Sequence, residues 1–188
     1  MRTGMTELTS LDNTIKLDIR YATPDNFVGR TVYPEARAFL QSPAAEGVVR
    51  VHQKLKEDGL GLVIYDGYRP WTITKLFWEV VPIEHRIYVA DPSKGSKHNR
   101  GCAVDLGVFN LETGEAIPMP SGFDEFTERA SPNYAAGTAE ERYNRDKLRG
   151  LMEAEDFIVN PNEWWHFDYK DWERFPLYDL SFEEAGTK

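Results

Sequence analysis

Three stretches of the chain space their apolar residues three to four positions apart, as amphipathic helices do. They cover residues 44–58, 71–81 and 138–154; the first ends at Gly59 and the second stops before Pro82. The side chains expected to face the core from these helices are Val48, Val51, His52, Leu55, Leu76, Phe77, Val80, Tyr143, Leu148, Leu151 and Met152. The spacing predicts three helices, of which the last is strongly charged.

Strand patterns separate these helices. Residues 62–65 form a continuous apolar run that breaks at a turn, which indicates a buried strand. Residues 101–109 alternate, with apolar side chains on one face and small or acidic ones on the other. A turn then suggests an antiparallel neighbour at 116–119, and the strand-like segments 157–159 and 164–169 follow the last helix. Because helices and hairpins mix without a regular strand-helix-strand repeat, the pattern predicts an α+β fold.

The length of the chain suits one domain. It has 188 residues, of which 41% are hydrophobic, and no repeat or low-complexity linker divides it. We therefore expect a single domain over residues 1–188, with 181–188 as a loose tail.

Charge and cysteine content narrow the function classes. Lys and Arg number 22 against 31 Asp and Glu, which gives a net charge of -9, and no basic run interrupts the chain, so nucleic acid is a poor partner. With Cys102 as the single cysteine, an intramolecular disulfide and a zinc site of two thiolates are both excluded. No secretory or membrane-spanning apolar run is found, and we expect a cytoplasmic protein without a membrane partner.

The segment SKHNRGCAVDLGV, residues 96–108, carries the first candidate chemistry. His98 and Asp105 lie seven residues apart, and Gly101 allows a tight turn after the histidine. Small residues beside Asp105, among them Gly107, are expected to leave room for a metal or ligand. A buried carboxylate needs a cation, an arginine or water as its partner.

The segment NEWWHFDY, residues 162–169, carries the second candidate chemistry. Glu163 and His166 lie three apart, and two histidines with one carboxylate make a three-ligand zinc set that leaves a fourth position for water. Residues 163 and 166 have opposite parity in an extended strand. Either a bend between them, or a position of Glu163 in the preceding turn, is needed to bring both side chains to one pocket.

The two segments together, SxHxxGxAxD at 96–105 and ExxH at 163–166, resemble the D-alanyl-D-alanine dipeptidase branch of the zinc D,D-peptidase family, the branch known from vancomycin resistance. Either motif alone is weak, but the combination is specific. Further similar stretches are DIRYATPDNFVGR at 18–30, YDGYRP at 65–70 and MPSGFDEF at 119–126. The resemblance therefore spans most of the chain, and it implies an α+β fold with a small central antiparallel sheet flanked by helices.

The resemblance also implies one zinc ion per chain and a role for eight residues. The implied metal ligands are His98, Asp105 and His166; the implied general base is Glu163; the implied transition-state stabiliser is Arg69; and the implied substrate contacts are Tyr21, Ser96 and Asp124. The expected activity is hydrolysis of the small dipeptide D-Ala-D-Ala by an activated water. The alternatives are a D,D-carboxypeptidase that trims longer peptidoglycan stems and a zinc-binding module without catalysis. The oligomeric state stays open.

Simpler interpretations exist for several of these residues. Asp105 would form a structural ion pair with Arg100, Arg69 would only pair with Asp66, and Asp124 would cap a following helix. The other two histidines of the chain, His52 and His85, match no motif.

We expect His52 to pack on its helix face and His85 to face solvent. Cys102 is interpreted as a small buried hydrophobe. Trp164 and Trp165 are interpreted as core or pocket wall, because no basic groove accompanies them.

Overall fold

A computed structural model describes residues 3–187, and its helices and strands alternate irregularly along the chain. In chain order they are β1 (Met5–Glu7), α1 (Leu8–Leu11), β2 (Lys16–Leu17), β3 (Phe39–Gln41), α2 (Ser42–Lys56), β4 (Leu60–Asp66), α3 (Trp71–Val80), β5 (Ala103–Asn110), α4 (Ala139–Ala154), β6 (Phe157–Asn160), β7 (Glu163–Tyr169) and α5 (Phe182–Ala185). The fold is α+β, as the hydrophobic pattern predicts.

A five-stranded sheet with the order β2-β4-β5-β7-β6 lies at the centre, and β1 and β3 form a separate two-stranded ribbon. Every neighbouring pair in the central sheet is antiparallel except β2 and β4, which run parallel over two residues. A long crossover through β3 and α2 separates these two strands, and such a connection allows the chain to return in the same direction. The expected antiparallel sheet is therefore present, with one parallel edge.

The three long helices fall where the periodicity predicts them, within two residues at each end. The helix α2 packs on β4, and its His52 is fully buried, with Nδ1 accepting a hydrogen bond from the Leu62 backbone at 2.9 Å. The expected role of His52 as a packing residue is confirmed. Among the residues that the structure describes, no helix has the length and apolar content to cross a lipid bilayer.

One apolar residue of α4 was assigned to the wrong face. Tyr143 is 65% exposed, whereas Arg145, Leu148 and Met152 are buried. At 100° per residue, the three buried positions share one side of the helix and Tyr143 lies opposite to them. The buried Arg145 is possible because Nη1 donates a 2.6 Å hydrogen bond to the carbonyl of Tyr134.

Strand β5 is buried on both faces, including Cys102 just before it. The expectation that Gly107 leaves room for a ligand is wrong, because a Cβ there would lie 2.6 Å from the hydroxyl of Tyr65. The glycine serves close packing between β4 and β5. The expected strand at 116–119 is reduced to a single bridge between Ala116 and Phe109.

The expected loose tail is also wrong for residues 181–187. Ser181 caps the short helix α5 in a capping box, and Phe182 is 3% exposed. The ring of Phe182 packs edge-on against Tyr33, with 5.0 Å between ring centroids. Lys188, the last residue of that prediction, lies outside the described residues.

Candidate active site

A row of three acidic and histidine side chains crosses the central sheet. Asp66 of β4 lies opposite Asp105 of β5, and Asp105 lies opposite His166 of β7. Directly opposed residues on neighbouring strands point to the same face of a sheet. Strand pairing therefore brings together three residues that are up to 100 positions apart in the sequence.

His98 joins this row from a short 3₁₀ turn, His98–Arg100, that precedes β5. The turn ends at Gly101, whose φ of +67° lies in the left-handed region that glycine adopts without strain. This conformation lets the chain reverse into β5, so the His98 ring meets the Asp105 carboxylate as the motif spacing predicts.

The three candidate metal ligands form a nearly equilateral triangle. Nε2 of His98 lies 3.4 Å from Oδ1 of Asp105 and 3.2 Å from Nδ1 of His166, and the remaining edge, Asp105 Oδ1 to His166 Nδ1, is 3.0 Å. Tetrahedral zinc with ligands at about 2.1 Å separates them by about 3.4 Å, so the residues fit this metal. All three are buried.

Hydrogen bonds to the outer ring nitrogens orient both histidines. Nδ1 of His98 donates to the carbonyl of Gly67 at 2.7 Å, and Nε2 of His166 donates to Oδ1 of Asp168 at 2.9 Å. When only these outer nitrogens carry protons, each ring turns a lone pair toward Asp105, whose Oδ1 is buried and accepts no hydrogen bond of acceptable geometry from the described residues. Three converging lone pairs repel one another unless a cation lies between them.

The pKa values reflect the same preference for a cation. Burial alone would raise the pKa of Asp105, but His98 and His166 hold it below its ordinary value. Burial alone would lower the pKa of His166, but Asp168 and Asp105 raise it well above the usual range. The site therefore favours positive charge between its carboxylates.

Glu163 reaches the same pocket through an irregularity in strand pairing. Phe167 pairs with Val159, but the next paired residue of β7 is Glu163, opposite Asn160, so the register shifts between the two pairs. Of the two expected arrangements, the structure shows the bend, since Glu163 already belongs to β7. Oε2 of Glu163 accepts a 3.2 Å hydrogen bond from the Asn160 amide and lies 3.7 Å from Nδ1 of His166, while burial raises the pKa of Glu163 to about 8.

Arg69 follows the end of β4 and is 7% exposed. It donates two hydrogen bonds to Asp66, from Nε at 2.9 Å and from Nη2 at 2.7 Å. Nη2 also lies 3.8 Å from Oδ2 of Asp105, and the guanidinium covers the ring of Phe77 with 4.8 Å to its centroid. The pairing with Asp66 is therefore present, and Arg69 additionally faces the candidate metal ligands.

Tyr21, which is buried, and Asp124, which is half-buried, form a second acidic group. The Tyr21 hydroxyl donates to Oδ2 of Asp124 at 2.6 Å, and burial raises the pKa of Asp124 to about 7 despite this hydrogen bond. Asp124 adopts a φ of 58°, a conformation that Asp tolerates better than most residues. It caps no helix, since Thr127 caps the nearby 3₁₀ turn Glu128–Ala130.

A pocket of about 210 Å³ connects these groups. All eight residues that the resemblance implicates line it, including Ser96, whose Oγ accepts a 3.2 Å hydrogen bond from the His98 backbone. One wall is apolar and comes from Phe27, Phe77, Ile87, Tyr88 and Phe126. The pocket combines a metal-binding triangle, a carboxylate, a guanidinium and a small apolar surface.

The model of the D-ala-D-ala dipeptidase family matches residues 1–185. The chain belongs to this family. A D-alanyl-D-alanine dipeptidase of Escherichia coli K12 is 32% identical over 93% of this chain and 89% of the relative, and one of Enterococcus faecium is 34% identical over 91% and 94%. Both relatives match along nearly their whole length, and the family consists of hydrolytic metallopeptidases.

Solved structures give a weaker similarity. A vancomycin-resistance D,D-dipeptidase, VanXYg, in complex with a D-Ala-D-Ala phosphinate analogue is 19% identical over 85% of this chain and 57% of that chain, with a TM-score of 0.46. VanYB in complex with D-alanine-D-alanine is 14% identical over 73% and 75%, with a TM-score of 0.45.

Two polar residues of this dipeptidase-family site escaped the sequence analysis. Asp168 lies two positions after His166, so both side chains project from the same face of β7, and this spacing was a usable signal. Asn160 contacts Glu163 across a turn, and no spacing rule indicates such a contact. Asp168 also lies 3.2 Å from Lys97, which extends the polar network to the rim of the pocket.

The simpler interpretation of Asp105 as a partner of Arg100 is wrong. Arg100 donates instead to the carbonyl of Phe175 and covers the ring of Trp172, with 5.1 Å to the ring centroid. His85, expected to face solvent, is half-buried beside the ring of Phe126.

Trp164 and Trp165 are buried, at 2% and 1% exposure, as core residues. They pack edge-on against each other, with 5.6 Å between ring centroids. Nε1 of Trp164 donates to Oγ of Ser121 at 2.8 Å, so its one polar group is satisfied inside the protein.

Proposed function

We propose that the protein hydrolyses the dipeptide D-Ala-D-Ala and that it uses one zinc ion. The observation that carries this proposal is the triangle of His98, Asp105 and His166, with edges of 3.0 to 3.4 Å, beside the buried carboxylate of Glu163. The names of the relatives, D-alanyl-D-alanine dipeptidase, support the choice of substrate. A zinc ion held there would supply Lewis-acid chemistry, which brings the pKa of water from about 15.7 toward about 7.

Glu163 is the proposed general base. It accepts a proton from the water that attacks the peptide carbonyl and later returns that proton to the departing amine. The Asn160 amide holds one oxygen of Glu163, at 3.2 Å, which fixes the direction in which the carboxylate faces.

Arg69 is the proposed stabiliser of the negative charge that develops on the carbonyl oxygen. Its charge does not titrate near neutral pH, and Asp66 fixes its position, so it need not reorganise during the reaction. Removing one comparable donor from an enzyme costs about 3 to 4 kcal/mol of transition-state stabilisation. Arg69 is thus proposed to act on the rate of the chemical step.

Asp124 is the proposed partner of the substrate ammonium. The Tyr21 hydroxyl already donates to Asp124, so Tyr21 orients this carboxylate, and Ser96 lies in the pocket wall as a further polar contact. A volume of about 210 Å³ is smaller than the roughly 300 to 1,000 Å³ of sites for drug-sized ligands. This size suits a dipeptide better than a longer peptide.

The test compares Glu163→Gln with the wild type and with Glu173→Gln, an exposed control. We expect Glu163→Gln to retain zinc by elemental analysis and to lose hydrolysis of D-Ala-D-Ala, while the control keeps both. Full activity of Glu163→Gln would contradict the role of general base.

The same assay separates the other candidate functions. A wild-type protein that cleaves a D-Ala-D-Ala-terminated pentapeptide faster than the free dipeptide would identify a D,D-carboxypeptidase. Bound zinc with hydrolysis of neither substrate would identify a zinc-binding module.

A further inference from the structure

The side of the Arg69 guanidinium that faces away from the pocket is held by Asp66. Both oxygens of this carboxylate are engaged: Oδ2 accepts the two hydrogen bonds from Arg69, and Oδ1 accepts from the Tyr33 hydroxyl and from the Gly67 backbone, each at 2.9 Å. Asp66 is 1% exposed. Its carboxylate therefore cannot rotate without breaking the hydrogen bond to Tyr33.

Tyr33 itself lies outside the pocket lining and outside every helix and strand. It is 1% exposed, and its ring is held edge-on between Tyr21 and Phe182, with centroid distances of 5.5 Å and 5.0 Å. Burial and the charge of Asp66 raise the pKa of Tyr33 well above its ordinary value, so the hydroxyl keeps its proton and donates a hydrogen bond to Asp66.

Arg69 has a competing carboxylate on its other side. Nη2 lies 3.8 Å from Oδ2 of Asp105, and Nη1 makes no hydrogen bond within the described part of the chain. A guanidinium that lost its fixed partner would move toward Asp105, a candidate metal ligand. The orientation of Asp66 thus decides where the free N–H groups of Arg69 point.

We propose that Tyr33 and Asp66 are positioning residues for catalysis, which hold Arg69 in the direction required by the developing negative charge. This inference rests on the proposed function. A buried ion pair with only a structural role would affect stability alone. A positioning role also affects kcat, because interactions that matter only in the transition state change kcat and leave KM nearly constant.

The test uses Tyr33→Phe, which removes one oxygen and keeps the ring packing. Tyr68→Phe is the matched control, since Tyr68 is also 1% exposed and its hydroxyl bonds the backbone of Leu180, away from Asp66. We expect Tyr33→Phe to lower kcat for D-Ala-D-Ala roughly tenfold, the effect of one lost hydrogen bond to a charged group, with KM changed less than about twofold. Zinc content should match that of Tyr68→Phe, and both variants should be fully folded at the assay temperature.

A double-mutant cycle identifies the route of the effect. In an Arg69→Gln background, Tyr33→Phe should cause no further loss of kcat, because the group that it positions is gone. A tenfold loss in both backgrounds, or a kcat of Tyr33→Phe equal to that of Tyr68→Phe, overturns the inference. If Arg69→Gln does not fold, the comparison of Tyr33→Phe with Tyr68→Phe decides alone. A wild-type protein without dipeptidase activity would overturn the proposed function instead.

Discussion

A histidine offers one ring nitrogen to a metal ion, and the hydrogen bond made by its other nitrogen determines which one. Here Gly67 fixes His98 through Nδ1, and Asp168 fixes His166 through Nε2. The two rings consequently present different nitrogens to the same point. Asp168 therefore orients one candidate ligand of the triangle.

Replacing Asp168 by Asn should weaken zinc binding roughly 10- to 100-fold, the usual effect of losing a charged partner of a metal-ligating histidine. Competition with a chromophoric chelator measures this affinity directly. Asp171→Asn is the control, because Asp171 pairs with Arg174 at 3.3 Å and not with His166. Equal affinities of the two variants would remove the orienting role from Asp168.

Asp124 should make the stability of the metal-free protein depend on pH. Its pKa is about 7 in the folded protein against 3.8 in the unfolded chain, so between these values the folded state holds the proton that the unfolded state has lost. The contribution of Asp124 is therefore fully present below about pH 4 and is lost as the pH rises through about 7. At about 1.36 kcal/mol per pKa unit, the loss is at most about 4 kcal/mol.

Asp124→Asn should remove this loss, so that the variant is more stable than the wild type at pH 8 and not at pH 4. Asn tolerates the positive φ and can still accept from Tyr21. Urea unfolding of the chelator-treated proteins at both pH values measures the effect, with the exposed Asp25→Asn as control. A wild type and an Asp124→Asn variant with the same pH profile would contradict the raised pKa of Asp124.

At the residue scale, motif spacing indicated four candidate site residues, His98, Asp105, Glu163 and His166, and the resemblance to the dipeptidase family implied the other four. The structure brings His98, Asp105 and His166 together as predicted. Their zinc, and the roles of Glu163 and Arg69, stay predictions. The partners that orient these residues could not be predicted, because contacts such as Tyr33 with Asp66 depend on how separate loops pack.

At the scale of the element, short segments contribute more to core packing than their length suggests. The final helix α5 has four residues, yet Phe182 fills space between Tyr33, Phe39 and Tyr68. This helix lies within the segment SFEEAGTK, residues 181–188, which we expect from the sequence to be a loose tail. The buried ring of Phe182, together with the buried Ala185, anchors this segment.

Phe182→Ala should lower the free energy of unfolding by about 3 kcal/mol, as large-to-small core substitutions of Phe do. Leu177→Ala, at a side chain that is 41% exposed, should change it much less. Chemical denaturation of both variants gives the comparison. If Phe182→Ala is no less stable than Leu177→Ala, residues 181–187 contribute nothing to the free energy of unfolding, and the expectation of a loose tail would be right.

Element types and approximate bounds followed from periodicity, since burial of one face imposes a repeat of 3.6 or 2 residues on the sequence. The long helices are examples. Two features of the sheet leave no repeat in the sequence: the parallel pairing of β2 with β4 and the register shift at Val159. Each depends on the neighbouring strand with which the segment pairs.

At the scale of the whole molecule, the candidate metal ligands connect three elements: the 3₁₀ turn at His98, β5 and β7. An ion bound to all three would stabilise the folded state and not the unfolded chain. Zinc at about 100 times its Kd should therefore add about 2.7 kcal/mol to the free energy of unfolding.

Thermal melting with zinc and with chelator measures this coupling, and we expect the melting temperature to fall by several degrees on metal removal. Asp105→Asn should abolish most of the difference, whereas Asp146→Asn, at an exposed carboxylate, should preserve it. A zinc-dependent shift that persists in Asp105→Asn would place the stabilising ion elsewhere.

The cytoplasmic location and the absence of a nucleic-acid partner stay predictions.

Composition and periodicity alone determined the fold class and the three long helices, and motif spacing indicated His98, Asp105, Glu163 and His166 as candidate chemistry, because each of these is a local property of the chain. The other candidate site residues came from the resemblance to the dipeptidase family. The tertiary structure decided which strands are neighbours, that Asp66, Asp105 and His166 lie in one row, and which groups hold them in place. Strand pairing and side-chain packing join residues far apart in sequence, and their free energies depend on the partner as much as on the residue itself.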